Sequence, residues 1–231
     1  MVLEHDHDAT AVAFNRAGDT LATASRDRTV RLWDGHSGAT KRVLRGHTDE
    51  VWGLEFSPDG TRLASASADD SVIVWDPRSD ARTKLAPLAG ARTVAFSPDG
   101  TRLAVAGAAP KLWVCEIARG SCTELRGHSA VVHDLAFLPD GRTLATASGD
   151  GTVQIWDLDT SERRVLEGHA APVFGLAVSP DGRTLASGSG DADVRLWAVV
   201  RPPRPEGLRA FLDELSHEQL APGIEGGVLD E

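Results

Sequence analysis

A repeating turn signal constrains this chain more than any other feature. It occurs as Ser57-Pro58-Asp59-Gly60, Ser97-Pro98-Asp99-Gly100, Leu138-Pro139-Asp140-Gly141 and Ser179-Pro180-Asp181-Gly182, with the prolines stepping by 40, 41 and 41 residues. A more degenerate copy is Asn15-Arg16-Ala17-Gly18. Seventeen positions after the second residue of a motif stands a tryptophan, from Arg16 to Trp33, Pro58 to Trp75, Pro139 to Trp156 and Pro180 to Trp197. In the third copy the interval is fifteen, from Pro98 to Trp113. A fixed period of this length means one supersecondary unit built repeatedly and stacked on its neighbours. The 231 residues therefore divide into five units, about 1–44, 45–88, 89–125, 126–166 and 167–200, followed by a tail at 201–231.

Within a unit the pattern is that of four short strands. Residues 51–57 alternate apolar and polar, as a half-buried strand requires. Pro58-Asp59-Gly60 supplies a tight turn in which Gly adopts positive φ. Residues 62–67 form a second strand of small side chains, suited to close packing of neighbouring sheets, and 71–75 a third. A fourth follows near Thr83-Lys84-Leu85. Short strands at even spacing, about forty residues per four strands, predict an all-β propeller.

The units resemble WD repeats. The marks are Gly46-His47, Asp69 and Trp75-Asp76; Gly127-His128, Asp150 and Trp156-Asp157; and Gly168-His169, Asp191 and Trp197. The resemblance implies a WD-repeat β-propeller of five four-stranded blades, closed or nearly closed. It also implies a buried hydrogen-bond network running from Trp through a hydroxyl and His to Asp. The sets are His5, Ser25, Asp27 and Trp33; His47, Ser67, Asp69 and Trp75; His128, Ser148, Asp150 and Trp156; and His169, Ser189, Asp191 and Trp197. His, Ser and Asp together have the composition of a hydrolase triad. A catalytic site is made once, whereas this set recurs in four units, so the expectation is structure and no catalytic residue. A buried His or Asp without partners costs a few kcal/mol, which makes a satisfied network a device for fixing one geometry.

The third unit departs from the pattern. Residues 88–96 are four shorter than 44–56 and lack the His, and Gly107-Ala108-Ala109-Pro110 lacks the Asp. Its blade is expected to lack the network. Two readings stand: a weak point tolerated between two packed neighbours, or altered loops that join a recognition surface.

Propellers of this family commonly bind peptides or proteins on the face carrying the loops after the second and fourth strands. The positions expected there, one per unit at the start of the first strand, are Thr10, Trp52, Arg92, His133 and Phe174, with Asp8, Glu50 and Arg26 beside them. Trp and Arg are the residue types that anchor protein interfaces. Trp52 alone of the six tryptophans falls outside the WD-type position. The alternative is that Trp52 and Phe174 merely fill the space between sheets.

Other chemistry is disfavoured by composition. A net charge of −10 with only three lysines does not suit sequence-independent binding to nucleic acid, which needs clustered cations. A hydrophobic share of 41% and a charged share of 25% are those of a globular domain, and no apolar run reaches membrane-spanning length. The first ten residues carry acids and histidines where a secretory signal is basic and then apolar, so the expected location is cytoplasmic. There Cys115 and Cys122, seven apart and able to meet across a hairpin, are expected to be reduced thiols. Glu4-His5-Asp6-His7-Asp8 has the look of a metal cluster, but alignment gives His5 to the network and leaves only His7, so no metal or cofactor is expected.

The last unit runs into Pro202-Pro203 without a fourth strand, and the first begins with the remnant of one. Residues 1–3 are expected to complete the last blade and close the ring. A larger propeller cut down at its N-terminus would leave the same remnant, and an open arc could pair with another chain. Leu208, Phe211, Leu212 and Leu215 predict an amphipathic helix near 206–220, docked on the propeller or on a partner. This tail is similar to that of bacterial multidomain proteins in which WD repeats follow a Ser/Thr kinase. The function expected is a non-enzymatic scaffold that binds a protein or peptide, in bacterial signalling. The alternatives are a segment of a larger protein without independent function and a propeller-based hydrolase.

Overall fold

The computed structural model describes residues 2–199. The chain divides into two compact units, Met1–Trp197 and Ala198–Glu231, and the helix expected near 206–220 lies outside the described residues.

The fold is all-β. The first sheet holds β1 (Ala9–Phe14), β2 (Thr20–Ser25), β3 (Thr29–Asp34) and β4 (Thr40–Arg45). The second holds β5 (Val51–Phe56), β6 (Leu63–Ser67), β7 (Ser71–Trp75) and β8 (Arg82–Leu85). The third holds β9 (Ala91–Phe96), β10 (Arg102–Gly107), β11 (Leu112–Glu116) and β12 (Ser121–Leu125). The fourth holds β13 (Val132–Phe137), β14 (Thr143–Ser148), β15 (Val153–Asp157) and β16 (Arg163–Leu166). Among the described residues the fifth holds β17 (Val173–Val178), β18 (Thr184–Ser189) and β19 (Val194–Ala198). Each sheet is a meander of strands taken in chain order.

The repeated turn explains the first hairpin of each unit. Ser57 Oγ donates to Asp59 Oδ1 at 2.6 Å and accepts the Arg62 N–H at 2.9 Å, while the Thr61 N–H donates to Asp59 Oδ1 at 3.0 Å. Gly60 sits at φ 69°, a conformation that costs other residues a clash at Cβ. The same serine, aspartate and glycine geometry recurs at Ser97 and Ser179.

Sheets pack face to face through small residues. Ala22 and Ala24 on β2 and Ala64 and Ala66 on β6 are fully buried, and each pair meets the following sheet. Between the first and second sheets they meet Phe56, Leu63, Ile73 and Trp75. Between the second and third sheets the receiving residues are Phe96, Leu103, Val105 and Trp113. A short residue opposite a large one lets the sheets interdigitate without voids.

Three expectations need correction. Among the described residues the fifth sheet has three strands rather than four, and Val2 and Leu3 carry no strand. The segment before β1 is held by its own sheet instead: His5 Nδ1 lies 3.0 Å from Asp27, and Arg31 Nη1 donates to the Glu4 carbonyl at 2.8 Å. Contacts join β1 to β5, β5 to β9, β9 to β13 and β13 to β17. Among the described residues no comparable contact joins β17–β19 to β1–β4, so the packing of neighbouring sheets runs from the first to the fifth.

The second correction concerns Trp113. Leu103 pairs with Cys115 as Leu63 pairs with Trp75, so Cys115 stands at the Trp position and Trp113 two residues before it. Strand register and loop length are unchanged, so the fifteen-residue interval reflects a tryptophan standing two positions earlier on the strand. The third correction follows from it: Cys115 and Cys122 are directly opposite on β11 and β12, with Cα atoms 4.0 Å apart, and form a disulfide rather than two thiols. In the second and fourth sheets the same cross-strand pair is Trp75 opposite Arg82 and Trp156 opposite Arg163, with each guanidinium over its ring at 5.6 and 5.9 Å. The third sheet replaces a cation–π contact with a covalent bond at the same address.

Candidate protein-interaction site

The first strand of every sheet begins with a β-bulge, and the bulged residues are Thr10, Trp52, Arg92, His133 and Phe174. A bulge adds a residue that cannot join the ladder and re-aims its side chain. Each bulge is fixed by a backbone bond from the loop after the second strand: Arg26 N–H to Asp8, Ala68 to Glu50, Ala108 to Gly90, Gly149 to Val131 and Gly190 to Pro172. Asp8, Glu50 and Arg26 therefore belong to the clamps themselves.

These residues fall into two groups. In the first, the guanidinium carbons of Arg26 and Arg92 lie over the Trp52 ring, 5.0 and 4.9 Å from its centroid. Arg26 is also held by carboxylates, with Nη1 3.3 Å from Asp8 and Nε 3.8 Å from Glu50. Thr10 joins this group by donating its hydroxyl to the Val51 carbonyl, next to Trp52. Arg92 is exposed and makes no ion pair among the described residues. In the second group the His133 and Phe174 rings meet with centroids 5.0 Å apart and planes tilted to one another, and Phe174 remains 54% exposed. Gly53 makes the first group possible, because a Cβ there would lie 2.3 Å from the Arg92 carbonyl oxygen. Only glycine lets β5 and β9 approach this closely.

Below this rim lies the polar network. Trp75 Nε1 donates to Ser65 Oγ at 2.8 Å, His47 Nε2 lies 2.7 Å from the same oxygen, and His47 Nδ1 lies 3.1 Å from Asp69. The relay hydroxyls are Thr23, Ser65, Thr146 and Ser187, two residues before Ser25, Ser67, Ser148 and Ser189. Both hydroxyls of each pair share one face of the strand, since side chains alternate with period two. The earlier one lies diagonally from the Trp, within reach of the indole. The later serines do other work: Ser67 Oγ accepts the Asp69 N–H at 3.1 Å and donates to the Asp49 carbonyl at 3.1 Å, holding the loop beside the bulge. Ser25, Ser148 and Ser189 repeat this arrangement.

The electrostatics fit neutral histidines donating to ionised aspartates. Burial pushes His47 and His128 below the usual histidine range, against the pull of Asp69 and Asp150. Burial alone would raise Asp69, but the Ser71 hydroxyl, the Thr48 N–H and His47 bring it down to about 2. Asp150 is brought down to about 2 in the same way, by Thr152, Ser129 and His128. In the third sheet Val105 stands where the hydroxyl would be and Cys115 where the Trp would be, so nothing there can relay a proton or a hydrogen bond.

The bulges, the networks and the stacked sheets define a WD-repeat propeller architecture. The model of the family described as "WD domain, G-beta repeat" matches residues 1–34, 38–76, 120–157 and 160–198, and the chain belongs to the WD-repeat family. The unmatched stretch contains the third sheet's first three strands, where the network is missing. The chain is similar to a WD repeat-containing protein, pop1, of Schizosaccharomyces pombe, 46% identical over 46 residues, which is 20% of this chain and 6% of that protein. It is similar to nuclear distribution protein PAC1 of Fusarium vanettenii, 42% identical over 55 residues, 20% of this chain and 12% of that protein. It is also similar to a probable serine/threonine-protein kinase, PkwA, of Thermomonospora curvata, 44% identical over 50 residues, 22% of this chain and 7% of that protein. In each case it matches a small part of a longer protein. WD-repeat proteins generally act as protein-interaction scaffolds.

Proposed function

We propose that this chain is a non-enzymatic scaffold that grips a protein or peptide at the rim of bulged residues. The observation that carries this reading is the Trp52 cluster: an indole flanked by two guanidiniums, one of which, Arg92, has no carboxylate partner among the described residues. Trp and Arg concentrate binding energy at protein interfaces. The chemistry suits a partner segment that lays an apolar side chain near Trp52 or Phe174 and offers a carboxylate to Arg92. We further propose a role in bacterial signalling, which the similarity to part of the Thermomonospora curvata kinase supports.

The test is affinity capture from lysate of the source organism with the wild type and with Trp52→Ala/Arg92→Ala, each checked for folding by circular dichroism. A partner recovered by the wild type and lost from the folded double variant is the expected result. Equal recovery of the same proteins by both overturns the assignment of the rim.

A further inference from the structure

Each sheet of this protein meets the next through one pair of unlike faces, and among the described residues one of each kind is left uncovered, on the first sheet and on the fifth. The outgoing face carries Val30 and Leu32 in the first sheet, 0% and 1% exposed, and Val72 and Val74 in the second, 0% and 5% exposed. Val194 and Leu196 precede Trp197 by the same intervals as Val72 and Val74 precede Trp75, yet they are 73% and 72% exposed. The incoming face shows the same contrast. Phe14 pairs with Leu21 as Phe56 pairs with Leu63, but Phe56 is 7% exposed and Phe14 57%, with Val12 beside it at 67%.

We propose that the β17–β19 face of one copy seats the β1 face of a second copy of this chain, head to tail. Val12 and Phe14 of one copy would pack on Val194, Leu196, Ala177 and Ala186 of the other. The occupant is argued from the interfaces inside the chain: an alanine-rich face backed by aliphatics receives an aromatic and an aliphatic from the next sheet, and the two free faces are these halves. A hollow of about 230 Å³ lies on the outgoing side, lined by residues that include Ala177, Ala186 and Val194. The residues that line it carry no charge, which suits burial of an aromatic ring. The contact is between unlike patches, so each added copy leaves one face of each kind free unless the rotation closes.

The test uses the 231-residue chain in sedimentation velocity over a roughly hundredfold range of concentration, where mass action makes association visible. The wild type is expected to rise above monomer mass with concentration. Val194→Glu/Leu196→Glu and Val12→Glu/Phe14→Glu are each expected to remain monomeric, with circular dichroism as the check on folding. An equimolar mixture of the two variants retains one intact face of each kind and is expected to form a one-to-one dimer and nothing larger. A wild type that stays monomeric throughout would show that the chain's own residues cover these faces, and would overturn the proposal. Self-association that either double variant leaves unchanged, or a mixture that does not pair, would overturn it as well.

Discussion

At the scale of single residues, the relay hydroxyl is the position on which most of the polar interior depends. Ser65→Ala removes the shared partner of His47 Nε2 and Trp75 Nε1, both buried. Orphaned buried groups of this kind cost about 1–3 kcal/mol each, so urea unfolding is expected to show a loss of about 2–4 kcal/mol. Ser65→Thr is expected to be close to neutral, because Thr23 and Thr146 fill the same role in other sheets. The register of this hydroxyl was not legible in the sequence. Thr23-Ala24-Ser25 and Ser65-Ala66-Ser67 offer two hydroxyls on one face, and only the diagonal reach of the indole selects the first. The rim positions were legible, since their offset from the repeated turn is constant and each bulge falls at that offset.

A second residue gives the molecule a pH dependence. Burial raises the Glu55 carboxyl from its ordinary value to about 7, against the Phe96 N–H that donates to it at 2.6 Å and with Asp134 adding to the rise. Between the ordinary value of about 4.5 and about 7 the folded chain holds this proton while the unfolded chain has lost it. Stability from this group is therefore fully present below about pH 4.5 and lost as pH rises through about 7. Glu55→Gln keeps an acceptor for Phe96 and removes the titration. The difference in unfolding free energy between wild type and variant is expected to move in the variant's favour across that window and to be flat above it. His47 and His128 act in the opposite sense: their lowered affinity for protons removes stability as pH falls below about 6.5. Comparison at each pH with the variant separates the two.

At the scale of the element, the third sheet shows how a repeat survives the loss of its own signature. Strand number and turn positions follow the period there as elsewhere, but Val105 and Cys115 replace the hydroxyl and the Trp. The spacing held the signal, since Cys115 stands seventeen positions after Pro98 as Trp75 does after Pro58, but the tryptophan two positions earlier masked it until strand pairing fixed the register. The Cys115–Cys122 bond takes over the task of tying the fourth strand to the third. Reduction with dithiothreitol, or Cys115→Ser/Cys122→Ser, is expected to lower the melting temperature, with a loss of about 2–3 kcal/mol in the loop-entropy picture. Non-reducing and reducing intact-mass measurements report the bond directly. Gly53→Ala is expected to force β5 from β9, displacing Arg92, and so to weaken partner capture together with stability.

At the scale of the whole molecule, stability in a stacked array is approximately a sum of unit and interface terms. The second, third and fourth sheets each have two described neighbours, whereas the first and fifth have one. Backbone amides of β17–β19 are expected to exchange with deuterium well before those of β5–β7 in mass-spectrometric hydrogen exchange. The five-unit organisation was the most legible level of all, because a period survives substitutions that erase single motifs. The number of strands in the fifth sheet was not, since it depends on where a short segment with little sequence character is drawn, and His5 draws it to the first sheet.

The covalent tie in the third sheet also has a consequence for engineering. In the other sheets the loop between second and third strands must present an aspartate at one point in space, so its length and composition are fixed by four side chains. Between β10 and β11 no such debt exists: residues 108–111 carry no network residue, and the Ala108 N–H donates to the Gly90 carbonyl. That loop lies beside Arg92 and can be lengthened or recoded without dismantling a buried polar cluster. It is the place on this scaffold where a foreign peptide could be grafted with the fold left to look after itself.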